Sequence, residues 1–216
     1  MLNKTIKVLV VDDSSLVRKI LSEGLAKDPG IEVVGTAPDP YVARDKIVSL
    51  KPDVLTLDVE MPRMDGVEFL RRLMPQHPLP VVMVSSLTQK GKQITLDALD
   101  AGAVDFVSKP SSNLAQGLSG MIMELRTKVK IASTASVAHW KGKKDDLVSK
   151  GIVPSSTALA ESTDKIIAIG ASTGGTQALR NVIPRFSVNT PGIVIVQHMP
   201  PGFTKMFAER LNELSQ

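Results

Sequence analysis

Asp12, Asp13 and Asp58 each close or directly follow a short apolar run, and two further runs lead into Ser85-Ser86 and Lys109-Pro110. If those runs are neighbouring parallel strands, all of these groups emerge at one sheet edge, where open α/β sheets bind their ligands. Three converging carboxylates repel one another unless a cation sits among them. Mg²⁺ is the natural cation, because it is hard, prefers oxygen ligands and keeps waters that phosphate oxygens can replace. Asp58 could then attack an in-line phosphoryl donor as a carboxylate nucleophile, giving an acyl phosphate. Lys109 would neutralise the transferred charge, and the Ser85 hydroxyl would donate to a phosphoryl oxygen. Acidic residues also cap helices and end strands with no further role. That reading suits a single aspartate, whereas here four strand ends each carry a group that the chemistry needs.

A second constellation lies near the carboxyl end. Gly170-Ala171-Ser172-Thr173-Gly174-Gly175 follows a β-branched run and precedes a helical pattern, so Ser172 falls on a sharp strand-to-helix turn of the G-x-S-x-G type. The next apolar run ends in Gln197-His198. If the two runs pair, His198 emerges about 5 Å from Ser172, close enough for an imidazole to serve the hydroxyl as general base. A phosphate-binding turn beside an incidental histidine fits the same residues equally well. A dinucleotide fingerprint is disfavoured, since Ser172 stands where that motif needs glycine. His77 lies in a proline-flanked loop and reads as solvated.

The elements that must position these groups are legible in the hydrophobic pattern. Five runs, Ile6–Val11, Ile31–Thr36, Val54–Asp58, Val81–Val84 and Ala103–Val107, are nearly continuously apolar, as strands buried on both faces are. Amphipathic stretches alternate with them. Leu16, Ile20 and Leu21 stripe the first; Asp39-Pro40 caps the second, ahead of Ala43, Ile47 and Leu50; Leu114, Leu118, Met121, Ile122 and Leu125 stripe the last. The expectation is α/β: a doubly wound parallel sheet of (βα)5 type over residues 1–127. Residues 128–163, rich in Ser, Thr, Ala and Lys, read as a flexible linker. Within it Trp140 beside His139 reads equally as a docking anchor or a solvated aromatic. Residues 164–216 read as the first part of a second parallel α/β domain, with strands Ile166–Gly170 and Ile193–Gln197 and helices Thr176–Ile183 and Phe203–Leu214.

Bulk properties exclude several classes. The 216 residues are 43% hydrophobic, enough for packed cores, and contain no cysteine, so disulfides, thiol catalysis and Cys-ligated zinc are out. The opening apolar run is too short for a membrane span and ends in a carboxylate pair, which predicts a cytoplasmic protein. A net charge of +4 suits an acidic protein partner as well as nucleic acid.

The carboxylate site, together with Leu57-Asp58-Val59-Glu60-Met61-Pro62-Arg63-Met64-Asp65-Gly66, resembles the receiver domains of two-component response regulators over residues 5 to 127. The resemblance implies that Asp58 is the phosphorylation site, and that Asp13, Asp58 and the Glu60 backbone carbonyl ligate the metal with support from Asp12. It also implies that Ser85 is the switch hydroxyl, that Phe106 is an aromatic whose rotamer follows phosphorylation, and that Lys109-Pro110 is cis. The segments Ile169 to Gly175 and Gln197 to Phe203 in turn resemble the chemotaxis protein-glutamate methylesterases. That resemblance implies attack by Ser172, with His198 as base, on glutamyl methyl esters of methyl-accepting chemoreceptors, and often deamidation of receptor glutamines. A chemotaxis histidine kinase would be the phosphodonor, the receiver would cover the esterase site, and phosphorylation would uncover it. Neither DNA nor membrane insertion is expected, and the ester hydrolysis needs no cofactor.

The orienting acid of that family's triad lies beyond Gln216, and none of Asp164, Glu209 or Glu213 matches it. The chain therefore reads as an amino-terminal fragment, expected to accept phosphate but to hydrolyse esters poorly. The alternatives are a phosphate-responsive binding module, which for DNA would need a helix-turn-helix that the pattern lacks, and a simple phosphate sink.

Overall fold

The computed structural model describes residues 4–86, 88–110, 114–142 and 165–215. The chain divides into two compact units, Met1–Asp145 and Asp146–Gln216.

The first unit alternates β1 (Ile6–Val11), α1 (Ser15–Ala26), β2 (Ile31–Ala37), α2 (Pro40–Leu50), β3 (Val54–Asp58), α3 (Gly66–Gln76), β4 (Val81–Ser85), α4 (Gln89–Asp100), β5 (Asp105–Ser108) and α5 (Leu114–Ala132). Its five strands are all parallel, in the order β2-β1-β3-β4-β5. Alternation along each strand explains the two cores. Val8, Val10, Val54, Val82 and Val107 point to one face, where Leu21 and Leu25 of α1 and Ile122, Leu125 and Val129 of α5 cover them. Leu9 meets Leu50 of α2 at Gly35, and Met83 meets Gly66 of α3, so the opposite face is clad as well and the sheet is doubly wound. The order reverses between β1 and β3, which opens the edge crevice beside Asp12 and Asp58.

Helix starts follow local chemistry. Asp39 accepts from the Tyr41 and Val42 amides, Ser14 from Val17, Asp65 from Glu68 and Thr88 from Gly91, each satisfying amides that the first helical turn leaves free. The expected stripe on α1 is shifted: Leu16 is exposed, while Leu21 and Leu25 are buried. Leu16 sits in the first turn, on the solvent side of the 3.6-residue period set by the other two.

The boundary expected at residue 127 falls inside α5, whose Val129 and Ala132 are fully buried. The chain then forms a 3-10 turn, Ala138–Trp140, and the Gly142 amide donates to the Pro75 carbonyl at 2.9 Å. Trp140 lies against Gly102, which has φ +111°, and a Cβ there would stand 2.9 Å from the indole. Residues 128–142 are thus part of the first unit, and the low-periodicity signal there marks a short strap whose Ala135 and Val137 pack on the core and whose Trp140 lies on Gly102. The rest of the expected linker, from 143 to 163, and Asp164 lie outside the described residues.

The second unit contains β6 (Ile167–Ala171), α6 (Gly175–Val182), a 3-10 turn Ile183–Arg185, β7 (Ile193–Gln197) and α7 (Phe203–Leu214). Its two strands pair in parallel, and Leu179, Phe203, Phe207 and Leu211 are its buried large side chains among the described residues. Leu214, expected on that stripe, is exposed at the helix end. Among the described residues no helix is long and apolar enough to cross a membrane.

Candidate functional sites

The ends of β1 and β3 place Asp12 and Asp58 side by side, both almost wholly buried, with Asp13 exposed at the mouth. One carboxylate oxygen from each of the three lies within 4.8 Å of the others. Lys109, just past β5, sends its ammonium to the pair, 2.9 Å from Asp12 Oδ2 and 2.9 Å from Asp58 Oδ2. Asp12 Oδ1 accepts the Ser14 amide at 2.9 Å. Arg18 fastens the loop from beneath, donating to the Asp12 and Asp13 carbonyls at 2.8 and 3.0 Å.

Burial pushes the Asp58 carboxyl up; Lys109 pulls it down, Asp12 adds to the rise, and the result is about 6. Burial pulls Lys109 down, but the Asp58 charge and the bonds to Asp12 and Asp58 outweigh it, so its pKa stands above the ordinary lysine value. Burial, with help from Asp12, raises the one, and the two carboxylate charges raise the other. Asp12 and Asp58 are sequestered, and the Asp13 carboxylate has no bonded partner among the described residues. An all-oxygen donor set with surplus negative charge fits a hard divalent cation that keeps water ligands.

Gly66 makes the close approach possible. A Cβ there would lie 2.3 Å from the Asp58 carbonyl oxygen. The Glu60 amide donates to Asp58, and the Glu60 side chain is exposed. Ser85, at the end of β4, is buried and bonded to Thr95 of α4. Phe106 is also buried, with the Lys128 ammonium 5.3 Å from its ring centre; that ammonium donates to the Phe106 carbonyl and pairs with Asp105 and Glu124. The resemblance makes Lys109-Pro110 cis, but no peptide bond among the described residues is cis. A trans bond is the default for X-Pro by about 0.5–1 kcal/mol, and the lysine reaches both carboxylates from it.

In the second unit Ala171 and Gln197 are register partners, and the His198 amide extends the ladder by donating to the Ala171 carbonyl at 3.1 Å. Ser172 and His198 therefore leave adjacent strand ends side by side, both exposed. No hydrogen bond joins their side chains among the described residues. The Ser172 turn closes through the Gly175 amide to the Ser172 carbonyl, 2.7 Å, with Gly174 at φ +77°. Gln197 Nε2 donates to the Ser172 and His198 carbonyls at 3.0 and 3.1 Å, tying the two loops together. The sequence reading missed Thr95, Arg18, Lys128 and this role of Gln197, because none sits in a motif and each acts through tertiary neighbours. His77 is exposed, as expected.

The response regulator receiver domain model matches residues 8–118. The chain belongs to that family of phosphoacceptor proteins. Its last residues, 167–216, match the CheB methylesterase model. A protein-glutamate methylesterase/protein-glutamine glutaminase of Syntrophotalea carbinolica is 72% identical over 211 residues, covering 98% of this chain and 60% of that protein. One from Syntrophus aciditrophicus is 57% identical with the same coverage. The chain thus spans about 60% of the length of these relatives. The crystal structure of the response regulator domain of Thermotoga maritima CheB superposes with TM-score 0.56 at 42% identity, over 62% of this chain and 99% of that one.

Proposed function

We propose that the chain couples phosphorylation of Asp58 to hydrolysis of glutamyl methyl esters on chemoreceptors, with deamidation of receptor glutamines as a second activity of the same serine. The observation that carries this reading is the pairing of β6 with β7. It sets Ser172 beside His198 in a chain whose first unit also presents a buried aspartate to a lysine and two further carboxylates.

In the first unit Asp58 supplies the nucleophilic oxygen. It bonds to phosphorus while the donor's leaving group takes the electron pair, and an acyl phosphate results. Asp12, Asp13, Asp58 and the Glu60 carbonyl would hold Mg²⁺, which supplies charge neutralisation for the transferred phosphoryl group. Lys109, already between the carboxylates, turns to the new anion, and the Ser85 hydroxyl donates to it. A chemotaxis histidine kinase is the proposed donor. Phe106 is proposed to change rotamer with phosphorylation, breaking its packing under Lys128.

In the second unit His198 takes the Ser172 proton as the serine oxygen attacks the ester carbonyl, and returns it to the departing methanol. Water then releases glutamate by the same route. Amides at the start of α6 are placed to receive the developing oxyanion.

The deciding experiment is methanol release from methyl-esterified receptor, with and without Mg²⁺ and a small phosphodonor, with Ser172→Ala as control. Release that rises on phosphorylation and is lost in the control is expected of the regulated esterase. Equal release from the control would refute the role of Ser172.

A further inference from the structure

The Ser85 hydroxyl is already engaged. Its oxygen lies 2.6 Å from Thr95 Oγ1, 3.3 Å from the Gly91 carbonyl and 3.2 Å from the Ser86 carbonyl. Ser85 is 1% exposed and Thr95 is fully buried, so water cannot replace any of these bonds. Thr95 Oγ1 also lies 2.6 Å from the carbonyl of Gly91, one helical turn earlier in α4. A hydroxyl has one proton and two acceptor sites. Threonine inside a helix commonly back-bonds to the carbonyl four residues earlier, and here the Thr95 hydroxyl is placed to donate both to that carbonyl and to the Ser85 oxygen. Ser85 accepts from Thr95 and directs its own proton to the Gly91 and Ser86 carbonyls, so its hydroxyl is held on α4 from both sides.

We propose that Thr95 is a positioning residue for the phosphorylation switch: it holds the Ser85 hydroxyl on α4 until a phosphoryl group on Asp58 offers a stronger acceptor. The inference rests on the reading of Asp58 and Ser85 given above. The exchange moves one hydrogen bond from a neutral oxygen to an anionic one, and charge-assisted bonds are roughly twice as strong as neutral ones. Thr95 thus sets how easily Ser85 is released. Valine keeps the shape of the threonine and removes the hydroxyl that donates to Ser85; serine keeps it.

The test measures the initial rate of phosphate incorporation from acetyl phosphate with Mg²⁺. Thr95→Val is expected to react about two- to tenfold faster than the native chain, the span of one neutral hydrogen bond, and Thr95→Ser within about twofold of it. In a Ser85→Ala background the valine substitution is expected to change nothing. Thr95→Ala should show the same sign if the valine variant folds poorly. Urea unfolding of the metal-free, unphosphorylated protein supplies a second readout, in which the Ser85→Ala and Thr95→Val losses should be strongly non-additive. An unchanged rate in Thr95→Val, acceleration that persists without the Ser85 hydroxyl, or additive losses would each overturn the proposal. If the native chain takes up no phosphate, the reading of Asp58 fails instead, and the unfolding cycle still decides whether Thr95 holds Ser85.

Discussion

Lys109 Nζ stands 2.9 Å from Asp58 Oδ2, so the ammonium rests on the side chain proposed to accept the phosphoryl group. Asp58 is one of two buried carboxylates on that ammonium, and burial, with the Asp12 charge adding to it, lifts its pKa to about 6 against the pull of Lys109.

The pH dependence of stability follows with a definite sign. The Asp58 carboxyl titrates near 6 in the fold, against about 3.9 in an unfolded chain, so the folded state holds the proton more tightly. This group's contribution is fully present below about pH 4 and is lost as pH rises through about 6. Relative to Asp58→Asn, the metal-free native chain should lose about 2–3 kcal/mol between those limits. Urea midpoints of the two proteins from pH 4 to 8 check this, and a pH-independent difference contradicts it. The same variant should take up no phosphate from a small donor with Mg²⁺.

Lys109→Met leaves Asp12 and Asp58 without their shared cation. Breaking a buried ion pair from one side costs about 3 kcal/mol or more, so the metal-free variant should unfold at clearly lower urea than the native chain. Millimolar Mg²⁺ should recover part of the loss, because it supplies the missing charge. A variant as stable as the native chain without metal would show that the pair is not the strained element described here.

Gly66→Ala drives a methyl group to 2.3 Å from the Asp58 carbonyl oxygen. Backbone must move, since the obstacle is not a flexible side chain. A stability loss of about 2 kcal/mol or more is expected, together with slower phosphate uptake as Asp58 is displaced. Differential scanning calorimetry and the phosphorylation assay test the two effects separately.

Trp140 is the sole tryptophan, which makes its fluorescence a reporter of the strap on Gly102. Emission should shift to the red when the first unit unfolds. Gly102→Ala should cost about 1–3 kcal/mol, because φ is +111° and the indole stands in the way. Trp140→Ala should lower the midpoint of the same transition and leave phosphate uptake within a few fold.

The larger elements were readable because their signals are local. The five strands of the first unit and both strands of the second were found within two residues of their observed ends, since continuous β-branched runs bounded by polar residues admit few other states. The placement of Asp12, Asp13, Asp58, Lys109, Ser85, Ser172 and His198 at strand ends was legible for a related reason, since parallel winding carries the ends of a sheet's strands to one edge. The strap from Ser133 to Gly142 was missed because it has no period of its own; Ala135, Val137, the Trp140 indole and the Gly142 amide fasten it through tertiary contacts.

By itself, then, the sequence determined the alternation of strands and helices and which polar residues stand at the strand ends, because those depend on local pattern. Tertiary structure decided what those residues do to one another. Which ammonium meets Asp58, which helix holds the Ser85 hydroxyl and how Gln197 joins the Ser172 and His198 loops are all contacts between different elements. Their energies depend on burial and on distances of a few ångströms, and only the packed sheet and its helices set those.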